Sequence, residues 1–116
     1  MAAAACVRAP PPLIAPEPFA AGAVSFYARE LQGHLTASGE RYDERRLTAA
    51  HRSLPFGSCV EVENVENGRR VRVRVNDRGP FVPGRLMDLS YAAAVRIGMT
   101  GRGVVRARLW PCGKAR

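Results

Sequence analysis

The sequence predicts a mainly β domain, a small closed barrel carrying one or two short helices. Three observations point there. Apolar and charged residues alternate with period two in three separate stretches, the signature of strands buried on one face. A strong hairpin signal, Glu66-Asn67-Gly68, joins two of those stretches. Glycine-rich crossings separate the rest, and a chain of 116 residues has room for only one such core.

In chain order, residues 23–29 read as a first strand centred on Val24-Ser25-Phe26-Tyr27-Ala28. A polar segment with Gly33, Thr36, Ser38 and Gly39 follows, then a turn region at Tyr42 to Arg46 and a loop bearing His51. Residues 58–64 set Val60 and Val62 against Glu61 and Glu63, a half-buried strand. After the hairpin, Val71, Val73 and Val75 face inward while Arg70, Arg72 and Arg74 face out. Glu61 and Glu63 lie across from those arginines, so the arginine stripe is read as cross-strand pairing. Leu86-Met87-Asp88-Leu89 is a short extended segment. Ser90 then caps a helix over residues 91–97, which Gly98 ends. Residues 104–110 alternate again and close the sheet.

The formal charge is +8, from 18 basic and 10 acidic side chains, and Lys114 is the only lysine. Arginine forks suit planar anions and sugar hydroxyls, so a basic surface fits an acidic polymer. Nucleic acid is not the expected partner, because the aromatics are not interleaved with clustered cations. Residues 1–21 form a Pro/Ala-rich tether without the charged start and long apolar core of a secretory signal. Residues 22–113 form the barrel and 114–116 a short tail. Cys59 opens one strand and Cys112 follows the last, and a disulfide between them is favoured. No cysteine or histidine pair has zinc-ligand spacing, so no metal or cofactor is expected.

One segment points to chemistry. Strand 70–75 runs into Asn76-Asp77-Arg78-Gly79-Pro80-Phe81, delivering a carboxylate where a rigid scaffold meets a loop. With it, the segments Thr36-Ala37-Ser38-Gly39-Glu40-Arg41-Tyr42-Asp43, Leu47-Thr48-Ala49-Ala50-His51, Leu54-Pro55-Phe56-Gly57 and Asp88-Leu89-Ser90-Tyr91-Ala92-Ala93-Ala94 complete five blocks. Together these resemble the RlpA (rare lipoprotein A) family over residues 22–110.

The resemblance implies a six-stranded double-psi β-barrel and an endolytic peptidoglycan lytic transglycosylase. Such an enzyme cleaves the bond between N-acetylmuramic acid and N-acetylglucosamine without water, leaving 1,6-anhydro ends. One carboxyl group can serve as acid and then base. Asp77 matches the family's acid/base position, with His51 and Glu40 as further matches. Arg78, Asp88, Tyr42 and Phe81 are expected to meet substrate. An inward Arg78 guanidinium would oppose protonation of Asp77, so it is expected to turn toward substrate or backbone carbonyls. Asp88 has a competing reading as a cap for the helix near Ser90.

The resemblance further implies a cell-envelope location and peptidoglycan glycan strands as partner, with the domain monomeric. Membrane attachment is expected only if Cys6 is lipidated. The SPOR domain that many members carry is expected to be absent. A non-catalytic, expansin-like glycan-binding module on the same scaffold is the alternative.

Overall fold

The computed structural model describes residues 17–112, so Cys6 and its lipidation lie outside the described residues. Six strands form a closed barrel. They are β1 (Ala20–Phe26), β2 (Thr48–Ala50), β3 (Cys59–Asn64), β4 (Arg70–Asp77), β5 (Arg85–Leu89) and β6 (Val104–Pro111). Around the barrel the order is β1-β5-β2-β4-β3-β6, closing back on β1. Closure leaves no strand edge unpaired.

The hairpin of β3 and β4 forms as the sequence predicts, with Glu61 opposite Arg72 and Glu63 opposite Arg70. The valines of β4 point into the core, where Val71, Val73 and Val75 are at most 4% exposed. Val60 and Val62 meet them from β3, with Met87, Leu89 and Leu109 filling the centre. Each such side chain contributes about 1.5–3 kcal/mol when fully buried. Simple alternation fails at Glu61, which is 6% exposed despite its outward position. Arg70 and Arg72 reach over it, each 3.3 Å from a carboxylate oxygen, and cover it from solvent.

Two differences from the sequence reading bear on the site. First, β1 starts at Ala20, and the backbone N–H of Phe19 already donates to Leu109 O at 2.9 Å. Tyr27 and Ala28 therefore fall just beyond the strand. Second, the stretch read as a loop before His51 contains β2, whose three residues are all buried. Its Ala-Ala sequence carries no strand preference. It is a strand because β4 flanks it in parallel and β5 in antiparallel.

A single 3-10 turn (Arg29–Leu31) and helix α1 (Tyr91–Arg96) complete the fold. Ser90 Oγ accepts from Ala93 N at 3.2 Å, capping α1, and from Thr48 N at 3.3 Å, which ties the cap to β2. Gly98 ends the helix at φ +68°, where a Cβ would also press within 2.9 Å of Arg69. A disulfide joins Cys59 at the start of β3 to Cys112 after β6.

Candidate active site

The strand register builds the site. Ala50 at the end of β2 pairs with Asp77 of β4 on one side and with Asp88 of β5 on the other. Asp88 in turn pairs with Ser25 of β1. Residues paired directly across strands project from the same face, so Asp77, Ala50 and Asp88 stand in one row. Two strand spacings separate the carboxylates, roughly 9–10 Å at the backbone. Ala50, 2% exposed, stands between them in the row.

That row lines a cleft of about 380 Å³ whose walls also include Phe26, Tyr27, Arg78, Pro80 and Phe81. Asp77 is half-buried there, and every group bonded to its carboxylate is a donor. Oδ1 accepts from the backbone N–H groups of Ala37 and Arg78, both at 2.8 Å. Oδ2 accepts from the Tyr27 hydroxyl. Burial, and then the Asp77 carboxylate, push the Tyr27 phenol far above its usual range, so it remains a donor throughout. Asp88 accepts from Ser25 Oγ, which itself accepts from Arg85 at 3.1 Å. The helix near Ser90 is capped by Ser90 itself, so Asp88 keeps its carboxylate in the cleft.

The other expected residues take different places. Arg78 turns its guanidinium to the carbonyl of His51 at 3.2 Å and stacks it 4.0 Å over the Phe56 ring. Phe81 is 76% exposed on the lip of the cleft. Tyr42, expected to face a sugar, is 2% exposed and has no free face to offer. Its ring stacks on Tyr27 at 4.4 Å, and its hydroxyl accepts from Tyr91 N at 3.0 Å. Tyr42 therefore supports Tyr27 from behind.

The backbone N–H of His51 donates to Asp77 O at 3.1 Å, so the two residues are strand neighbours. The His51 ring does not line the cleft described above. Nδ1 accepts from the N–H groups of Ser53 and Leu54, both at 3.1 Å, which leaves the proton of the neutral ring on Nε2. Burial first, then Arg52 and Arg78, lower its pKa, and the imidazole is neutral at pH 7.

Glu40 does not touch His51. Arg74 grips its carboxylate with both terminal nitrogens, at 2.6 and 3.0 Å, and Asn76 Nδ2 adds a third contact at 3.2 Å. Hydrogen bonds from Arg74 and Asn76 lower its pKa to about 2. It is fixed as an anion and cannot donate a proton near neutrality.

Tyr27 is the site residue that sequence reasoning passed over. In sequence it reads only as part of the first strand, and nothing local announces a hydroxyl bonded to a carboxylate 50 positions away.

A closed six-stranded barrel with two parallel strand pairs and its cleft across their ends defines a double-psi β-barrel protein. Solved structures agree in fold. The Streptomyces papain inhibitor superposes with a TM-score of 0.60 at 25% identity, over 80% of this chain and 96% of that one. The expansin of Clavibacter michiganensis gives 0.61 at 22% identity, over 83% of this chain and 51% of that one. The chain belongs to the lytic transglycolase family, whose model matches residues 19–109. The endolytic peptidoglycan transglycosylase RlpA of Vibrio cholerae is 51% identical over 88 residues, covering 76% of this chain and 34% of the relative. The probable endolytic peptidoglycan transglycosylase RlpA of Aquifex aeolicus is 50% identical over 94 residues, 79% of this chain and 42% of the relative. The chain thus spans well under half the length of these curated relatives.

Proposed function

We propose that this domain is the catalytic barrel of an endolytic peptidoglycan transglycosylase of the cell envelope, with Asp77 as its acid and base. The observation that carries this reading is the placement of Asp77: a half-buried carboxyl in an open cleft, in a chain about half identical to relatives named for that activity.

The glycan lies along the row of Asp77, Ala50 and Asp88, with Phe81 offering a flat apolar face to one sugar ring. Protonated Asp77 gives its proton to the glycosidic oxygen, and the N-acetylglucosamine side leaves as an alcohol. The resulting carboxylate takes the proton from the 6-hydroxyl of the N-acetylmuramic acid. That oxygen closes on C1 to form the 1,6-anhydro ring. The proton lost in the first step is regained in the second, and no water is consumed. Asp88 stabilises positive charge developing at C1. His51, neutral, holds the turn after β2 through Nδ1 and is not the proton source. Glu40 acts at a distance by holding the loop that carries the Ala37 N–H.

The test is digestion of purified sacculi by the wild type and by Asp77→Asn, with anhydromuramyl ends counted by mass spectrometry. The wild type yields them, and the folded variant loses at least about 100-fold. Equal yields would remove Asp77 from the mechanism. Glycan binding without anhydro products in either protein would leave a non-catalytic, wall-binding module. The donor-only surroundings of the Asp77 carboxylate favour that second reading.

A further inference from the structure

Asp77 is held unequally. Oδ1 is fixed by two backbone N–H groups, from Ala37 in the loop before Glu40 and from Arg78 next in the chain. Oδ2 has one protein partner, the hydroxyl of Tyr27. A carboxyl that gives and reclaims a proton needs one oxygen facing the reacting bond, and Oδ1 is enclosed by backbone. Oδ2 is on the side of Tyr27, and Tyr27 lines the cleft.

The hydroxyl itself is held from behind. The Tyr27 ring lies nearly parallel to that of Tyr42, at an interplanar angle of 19°. Tyr42 is buried and anchored at the start of α1 through Tyr91 N. The hydroxyl thus has little freedom to leave the carboxylate. The stack also places the phenol so that Asp77 meets O–H and not the apolar ring.

We propose that Tyr27 is a positioning residue that sets the rotation of the Asp77 carboxyl and presents Oδ2 as the oxygen that exchanges the proton with the glycan. This rests on Asp77 being the acid and base of the reaction. Tyr27 remains protonated throughout and acts only through Asp77. After the first proton transfer its O–H steadies the charge on Oδ2. Around Asp77 stand Asp88 on β5, Arg78 after β4 and His51 after β2, and a change confined to the phenol leaves all three in place.

The test is Tyr27→Phe, which keeps the ring against Tyr42 and removes one oxygen. Initial rates on soluble glycan strands should show kcat lower by about 10- to 100-fold, with KM within about twofold. The carboxylate has lost a donor, so the alkaline limb of the pH–rate profile, where the acid deprotonates, should move up by about one pH unit. A packing role alone would not move that limb. If Tyr27→Phe melts below the assay temperature, 3-fluorotyrosine at position 27 keeps the contact with a stronger donor and should move the limb down. Wild-type kcat with an unmoved limb in either protein overturns the assignment. An active Asp77→Asn overturns the reading beneath it, so the two failures are told apart.

Discussion

Glu40 strapping its loop to β4 makes a prediction that can be worked through. The loop from Thr36 to Glu40 folds on itself, with Thr36 N donating to Glu40 O at 2.7 Å. It lies along the end of β4 through Ser38 N to Asn76 O at 3.2 Å and Ala37 N to Asp77 Oδ1 at 2.8 Å. The two-pronged grip of Arg74 on Glu40 holds this strap. Glu40→Gln keeps the shape and removes the charge. Taken at full value, lowering the carboxyl from 4.5 to about 2 is worth about 3.4 kcal/mol. The Glu40 side chain is 43% exposed, however, and solvent screening cuts the contribution to about 1 kcal/mol.

A carboxyl whose pKa is lowered on folding stabilises above its unfolded pKa and loses that contribution as pH falls through its folded one. The gap between wild type and Glu40→Gln should therefore be full at pH 7, roughly 5 °C in Tm. It should close between about pH 4.5 and pH 2. Thermal melts across that range read it directly. Transglycosylase activity at pH 7 should fall about tenfold, because Ala37 N no longer holds Asp77 firmly. A gap that stays constant down to pH 2, or no gap at pH 7, would refute the strap.

Two further outcomes follow from the geometry. Ala50→Leu pushes a larger side chain into the space between Asp77 and Asp88 and costs about 1–3 kcal/mol in overpacking. It should abolish glycan cleavage and co-sedimentation with sacculi while the barrel still melts cooperatively, and retained activity would show that substrate does not use the row. Replacing Cys59 and Cys112 with Ala opens a loop of 53 residues. By loop closure this costs about 4 kcal/mol. An unchanged urea midpoint would contradict that.

Much of the barrel is legible where structure follows from neighbours in sequence. Asn67-Gly68 announces the hairpin, the valines of β4 announce the core, and Ser90 with Gly98 brackets the helix. What escapes local reading is contact between distant segments. The three residues of β2 are a strand only because β4 and β5 flank them, and the parallel pairs of β1 with β5 and β2 with β4 have no hairpin to mark them. Asp77 stood out because a strong strand points at it. Tyr27 and the Glu40–Arg74 pair did not, since their partners are 50 and 34 positions away. The place of Tyr42 is equally non-local, since its ring completes a stack with Tyr27 that only the crossing of distant segments forms.

The first and last strands of the barrel lie side by side, with Ala20 paired to Leu109 and Cys112 tied back to Cys59. Neither Phe19 nor Pro111 lines the cleft. Any module fused ahead of the first strand or behind the last would therefore be tethered at nearly the same spot, away from the residues that line the cleft.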